Sequence, residues 1–540
     1  MLRFYDDELH NLILVANKNF SDIIDYTSEY DFHPPVQYFL NKILLQLFGL
    51  NEFWLSLPSV IFIIISITLA GKLVFKITGS AKYSIISSFI IASNPLILLW
   101  GSSIRWYSLW TLLAFISIYT LVKLFSQQKT GGTVLLKITM IITLTFALYT
   151  NYQTLILIAS FIVTAILLDL KTKERKYNHF KLLLPVLIGV GILFIPYSGV
   201  FQNHLETFFL RKEIYSSWTG TYSIYSGGYF LFSILFGNSI YPWDLRFIIL
   251  FLVIVFFGTI FIIFYRVPFF NLLKTYPEST VDKDKRKLLY LLIVLTLTIF
   301  LLFLIQAIIS NTILSRGLLI LPILFVTVAV IFCYFFFALK PIKGSFVLSI
   351  CLVSFCGIWL IGSYNVFSRQ SIHKAGLMDP VEKVIDRVNV ISASKENNFI
   401  VITFDPVLTF YTLKSELSKK ALIISPYKND SYLLLKSENK IDYKEKLIFD
   451  STATVILIQS YLGSLIPLKE KIDNIELYLH NDGILIHRNL QLGYDPDAGI
   501  KRKFFASAEI KTWRYTIITI KPITYWNYDV INEINSLKVH

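Results

Sequence analysis

For most of its length the chain alternates long apolar runs with short polar connections, a pattern that suits helices lying in lipid and not alternating strands. About 20 mostly apolar residues suffice to cross the hydrocarbon core of a bilayer. Ten such stretches are readable, at roughly 53–75, 83–101, 107–125, 134–150, 152–169, 181–199, 246–265, 288–310, 317–339 and 344–364; the pair flanking Asn151 is short. An even number of crossings leaves both ends on one side. After residue 365 the long runs stop, charges become frequent and short β-type runs begin. Asn398–Phe404 reads as a buried strand with Asp405-Pro406 as a helix start, and further strands are expected at 421–424, 453–459, 475–480, 483–488 and 514–521. The pattern predicts a polytopic α-helical membrane domain of about ten transmembrane helices over 1–365, followed by a small α/β domain over 366–540. There is no internal repeat, and 274–287 reads as a polar loop.

Composition agrees. Of the 540 residues, 55% are hydrophobic and 16% aromatic, and the mean hydropathy is +0.60, well outside the soluble range. The net charge of +14 raises nucleic acid as a partner, but no compact basic, aromatic-interleaved domain is present, and nucleic-acid binding is not expected. The basic residues instead sort by loop. Lys72, Lys76 and Lys82, then Lys123, Lys129 and Lys137, then Lys171, Lys173, Arg175, Lys176 and Lys181, then Arg266, Lys274, Lys283, Lys285, Arg286 and Lys287, and finally Lys340 and Lys343 fill one set of connections. The alternate set holds Arg105, Arg211, Lys212, Arg246 and Arg316. The positive-inside rule makes the first set cytoplasmic and places the first fifty residues, Arg105, Arg316 and everything past 365 on the outer side. The three cysteines, Cys333, Cys351 and Cys356, lie in apolar runs without metal-ligand spacing and read as packing residues.

Charges are expensive in a bilayer, about 2.5 to 3.5 kcal/mol or more at its centre, so the polar cluster in the first fifty residues belongs at a water-facing surface or in a polar cavity. It contains Tyr5-Asp6-Asp7-Glu8, then Asp31-Phe32-His33-Pro34-Pro35, Tyr38-Phe39-Leu40 and Phe48-Gly49. Pro58-Ser59 and the Ser103-Ile104-Arg105-Trp106-Tyr107-Ser108-Leu109 stretch follow. This ordered set resembles the GT-C glycosyltransferases that use polyprenyl-phosphate sugars, the superfamily of protein O-mannosyltransferases and of the aminoarabinose transferase acting on lipid A. In that family an Asp-Glu pair opens the first external loop behind a first transmembrane helix. Met1-Leu2-Arg3-Phe4-Tyr5 is no signal peptide, so the resemblance leads us to expect such a helix upstream of Met1.

The resemblance implies Asp7 as the base that takes the acceptor's proton, with Glu8 orienting it, the acceptor or a metal. Adjacent acids are not separable by sequence, so Asp6 stays a candidate for either role; the bland alternative for all three is a solvated tail. His33, on a backbone fixed by two prolines, can donate to the donor phosphate, ligate a divalent metal or bond to the backbone at a helix start. Asp31 is a weaker candidate, as a cap for the helix that follows. Arg105, Tyr107 beside it, and Arg316 are candidates for binding the departing phosphate, a guanidinium offering a planar fork for its oxygens; the alternative for each arginine is an interfacial anchor. Many relatives carry a carboxylate where Ser103 stands and a tyrosine where Gly317 stands. The loop at 200–245 holds Tyr215, Trp218, Tyr222, Tyr225, Tyr229, Phe230, Tyr241 and Trp243 around Gly227-Gly228, suited to an interfacial belt or a hinged flap.

The resulting expectation is an integral plasma-membrane glycosyltransferase of GT-C type, inverting by family resemblance. It moves a hexosyl or pentosyl unit from a polyprenyl-phosphate donor to a hydroxyl of a protein, lipid or glycan on the external face. No cofactor is required by the pattern, although Glu8 and His33 are of the types that hold a divalent ion. The alternatives are a lipid-linked saccharide flippase or other transporter, and a polysaccharide polymerase. Transporters often carry ionisable residues at mid-membrane and repeated halves, and neither is seen in this sequence.

Overall fold

The structure is a computed structural model. It describes residues 6–30, 33–126, 133–171, 178–210, 231–237, 245–274, 283–310, 317–338, 342–367, 385, 398–403, 406–415, 421–424, 453–460, 485–492 and 514–523. The chain forms two compact units: one comprises Met1–Ile23, Tyr38–Leu55 and Arg369–His540, the other Ile24–Gln37 and Ser56–Ser368. We refer to them as the composite unit and the bundle unit.

Three amphipathic helices open the chain, α1 (Asp6–Asn17), α2 (Phe20–Tyr30) and α3 (Val36–Phe48). Gly49, at φ 62°, closes α3 in the left-handed conformation that a glycine adopts without cost. Then come α4 (Glu52–Thr78), α5 (Ala81–Ala92), α6 (Pro95–Trp100), α7 (Tyr107–Ser126), α8 (Thr133–Leu148), α9 (Thr154–Lys171) and α10 (His179–Phe194). A single 3₁₀ turn, Ile195–Tyr197, leads into α11 (Ser198–Leu210). The remaining long helices are α12 (Leu245–Lys274), α13 (Lys283–Ser310), α14 (Ile320–Ala338) and α15 (Ile342–Phe367).

Among the described residues, four segments are long and apolar enough to cross a membrane: Glu52–Thr78, Tyr107–Ser126, His179–Thr207 and Leu288–Gln306. Shorter apolar helices occupy Ala81–Ala92, Thr133–Leu148, Thr154–Leu170, Leu245–Ile260, Ile320–Phe335 and Ser349–Tyr364. Their outward faces are apolar as well: Ile64 and Phe75 on α4, Phe89 on α5, Leu135 on α8 and Phe256 on α12 are all exposed. So much contiguous apolar surface suits hydrocarbon and not water, which makes this an integral membrane protein.

Within the bundle, α7 packs against α8, α10, α13 and α14. Its centre is Trp110, fully buried, with its ring edge-on to Phe303 of α13 and its indole N–H donating to Thr154 Oγ1 of α9 at 2.9 Å. Ser117 and Thr143 share a 2.8 Å hydrogen bond between α7 and α8, the kind of polar tie that joins helices where the surrounding lipid is as apolar as the side chains.

Three sequence expectations shift. The stretch read as one span over 83–101 is two helices, because Pro95 cannot donate to the ladder and Asn94 caps a new start, its Oδ1 accepting from the N–H groups of Leu96 and Ile97. The long loop expected from 200 begins as α11, since Pro196 in the intervening turn presets a helical φ. Helix also extends into both ends of the loop expected at 274–287, through Lys274 in α12 and from Lys283 in α13. The aromatic stretch 211–230 and the strand expected at 475–480 lie outside the described residues.

In the composite unit, β1 (Asn398–Thr403), β2 (Ala421–Ile424), β3 (Ala453–Ser460), β4 (Leu485–Leu492) and β5 (Arg514–Ile523) form one sheet in the order β2-β1-β3-β5-β4. β1 is parallel to both neighbours, whereas β5 is antiparallel to β3 and β4. A short helix, α16 (Pro406–Lys414), follows β1 with proline in its first turn and packs on both β2 and α1. Its Phe410 and Leu413 are buried, while Tyr411 Oη donates to Glu52 Oε1 at 3.2 Å and Lys414 Nζ lies 3.6 Å from the same oxygen.

Candidate active site

One end of the bundle unit is assembled from turns that the charge pattern had assigned to a common side. His33 sits on a short turn stiffened by Pro34 and Pro35, both buried. The two residues after the prolines tie this turn down: Val36 N–H donates to the Tyr149 carbonyl at 3.2 Å and Gln37 Nε2 to the Ile104 carbonyl at 2.7 Å. The second of these reaches the connection that carries Arg105. There Ser103, fully buried, accepts from the Arg105 N–H at 3.3 Å, and Ser108 Oγ donates back to the Gly101 carbonyl at 2.8 Å. Two serine hydroxyls thus shape the turn that carries the arginine. His33 and Arg105 are both half-buried.

Tyr107 is buried, its ring edge-on to Trp106 and Trp100 at centroid distances of 4.8 Å and 6.0 Å. Trp106 in turn packs on Gly317, where an added Cβ would lie 2.5 Å from the indole Cη2. That close approach favours glycine at this position. Arg316, the preceding residue, lies outside the described residues. Two further contacts close the same end: Asn203 Nδ2 of α11 donates to Ser28 Oγ of α2 at 2.9 Å, and Tyr152 Oη bonds His204 Nδ1 at 2.5 Å.

The opposite end of the bundle is built from the lysine-rich connections. Tyr83 meets Tyr334 edge-on, and Asp169 accepts from the His179 and Phe180 N–H groups while bonding the His179 ring at 2.7 Å. The predicted outer turns thus meet one another, and so do the predicted inner ones.

The acids belong to the composite unit. α1 begins at Asp6, so Asp6, Asp7 and Glu8 occupy its first turn. The side chains of Asp6 and Asp7 lie outside the described residues, as does Asp31. Glu8 is 1% exposed. Three polar residues not singled out by the sequence accompany it. Asn41 Nδ2 donates to Asn11 Oδ1 at 2.7 Å, and Lys42 Nζ donates to the Val15 carbonyl at 2.9 Å while lying over the Phe20 ring. Burial pushes the Lys42 pKa below its usual value, and nearby Asp22 partly offsets the shift. The sequence signal was weak, since Asn41 and Lys42 in an amphipathic helix read as its solvated face. Among the described residues, no three His, Cys, Asp or Glu side chains are grouped to hold a metal ion. Glu8 and His33, the two candidate ligands, belong to different units.

No protein-family model matches the chain, and no curated protein matches it either. Among solved structures, ArnT from Cupriavidus metallidurans in the apo state aligns with a TM-score of 0.50 at 10% identity, covering 96% of this chain and 94% of that one. ArnT from the same organism bound to undecaprenyl phosphate aligns at 0.47, 10% identity and 95% and 96% coverage. An oligosaccharyltransferase from Archaeoglobus fulgidus, in complex with zinc and sulfate, gives 0.41 at 12% identity, with 84% of this chain and 64% of that one covered. The correspondence with apo ArnT runs nearly end to end, and the chain therefore shares the fold of that protein.

Proposed function

We propose that this protein is an integral-membrane glycosyltransferase that moves a sugar from a polyprenyl-phosphate donor to a hydroxyl acceptor on the non-cytoplasmic face. Its ten apolar stretches cross the membrane, and residues 366–540 form an external α/β domain. Asp7 accepts the proton of the acceptor hydroxyl as its oxygen attacks the anomeric carbon. The bond between that carbon and the phosphate oxygen breaks, and the electron pair leaves on polyprenyl phosphate. His33, Arg105 and Arg316 stabilise the charge that develops there, while Glu8 orients the base, with Asp6 as its substitute. Attack from the face opposite the phosphate inverts the anomeric centre.

The observation that carries this reading is the meeting of the 33–37, 101–108 and 149–154 turns with Gly317 at one end of the bundle. A half-buried imidazole and a half-buried guanidinium both stand on those turns. The fold shared with ArnT, a protein also solved with undecaprenyl phosphate, supports the class of donor.

The test is turnover of polyprenyl-phosphate sugars by purified wild type and Asp7→Asn. We expect the variant to bind donor and to lose about a thousandfold or more in kcat, as loss of an essential proton acceptor does. Equal turnover by the two proteins would remove Asp7 as the base.

A further inference from the structure

The helix that begins with Asp6, Asp7 and Glu8 is held by α3 at two points about one turn apart. We infer that Asn41 and Lys42 are positioning residues that fix the register of α1 and thereby the placement of its acids, an inference that rests on the glycosyltransferase reading. On α1, Glu8, Asn11 and Val15 follow the spacing i, i+3, i+7 and so lie along one face. Asn41 bonds the second of these residues and Lys42 the carbonyl of the third. Val15 lies in the last turn of α1, where carbonyls have no partner within the helix. The ammonium of Lys42 therefore caps that end and complements the dipole.

Both asparagines are 1% exposed and Lys42 is 8% exposed. Leucines could join α1 to α3 without removing amides and a charge from water. What leucines cannot do is select one register. Slipping α1 by one residue turns it about 100° and moves it about 1.5 Å, which takes Asn11 Oδ1 and the Val15 carbonyl out of hydrogen-bond reach. A buried asparagine pair at a helix contact is a device that fixes register at some cost in stability. Here the register decides where the first turn of α1 presents its carboxylates, and a base displaced by about 1 Å loses most of its rate advantage.

The experiment compares the full-length protein in nanodiscs with Asn11→Leu/Asn41→Leu, Lys42→Met and Lys42→Arg. Thermal unfolding, amide hydrogen exchange over residues 6–17, and kcat and KM for the polyprenyl-phosphate donor are the readouts. We expect the double leucine variant to unfold at or above the wild-type temperature. Its kcat should nonetheless fall at least about tenfold, with the donor KM little changed, because an interaction that sets the reacting geometry is lost. Exchange over 6–17 should quicken in the double variant and in Lys42→Met, and Lys42→Arg should restore the slow exchange. Should the leucine pair prevent folding, Lys42→Met and its arginine rescue decide the matter. Wild-type exchange in the folded double variant and in Lys42→Met would overturn the inference, as would wild-type kcat in both. Wild type that turns over no donor would instead overturn the glycosyltransferase reading, leaving exchange to judge the clamp.

Discussion

Gly317 shows how tightly the outer end of the bundle is drawn together. Its Cα lies so close to the Trp106 ring that an alanine methyl would overlap it, and that ring is itself braced by Tyr107 and Trp110. Gly317→Ala should therefore cost about 1 to 3 kcal/mol, as overpacking a filled site does, read as a lower unfolding temperature in detergent. An unchanged temperature would mean that the Trp106 ring moves aside freely. Little of this is legible beforehand. A glycine opening an apolar run looks the same whether it faces lipid or an indole, and Ser103 looks like a missing acid until its bond to the Arg105 N–H is seen. The Asn11 to Asn41 bond is equally hidden, because in an amphipathic pattern a buried amide and a solvated one are written alike.

Individual helices were far more legible. Apolar runs of the right length become helices because a backbone in lipid must satisfy its own hydrogen bonds, and every predicted stretch is covered by one or two of them. The misses are local and have local causes. Asn94-Pro95 divides a run that hydropathy joins, and Pro196 starts α11 where the aromatic content suggested a loop. Strand signals at 398–404, 421–424 and 453–459 match β1, β2 and β3 closely, since buried parallel strands are written as continuous apolar runs. β4, expected at 483–488 but found at Leu485–Leu492, contains His487, Arg488 and Asn489 and carries a weaker signal. What hydropathy cannot supply is the pairing between helices. Trp110 joins α7 to α9 through Thr154, and Thr154→Val, which keeps the volume and removes the acceptor, should cost about 1 to 2 kcal/mol by leaving a buried indole N–H unmet. Unfolding in mixed micelles measures it; a cost near zero would show that the indole finds another acceptor.

At the scale of the molecule, two independent patterns coincide. The distribution of lysine and arginine among the connections divides them into two sets, and the contacts within the bundle unit join turns of the same set. His33 and Arg105 fall on the arginine-bearing, lysine-poor side. The composite unit draws together residues from both ends of the sequence, so the acids of α1 share a unit with the sheet that follows residue 369. Composition changes sharply only near residue 365. Nothing in composition reports that α16 packs on α1. The proposed reaction is glycosyl transfer from a polyprenyl-phosphate donor. Its most direct test is to reconstitute the purified protein in nanodiscs with a panel of polyprenyl-phosphate sugars and a mixture of hydroxyl acceptors, and to follow free polyprenyl phosphate over time. The account predicts that one donor is consumed, with one polyprenyl phosphate released per sugar transferred, and that Arg105→Ala slows release about a hundredfold. Donors that all stay intact beside folded wild-type protein, or an Arg105→Ala variant as fast as wild type, would contradict it.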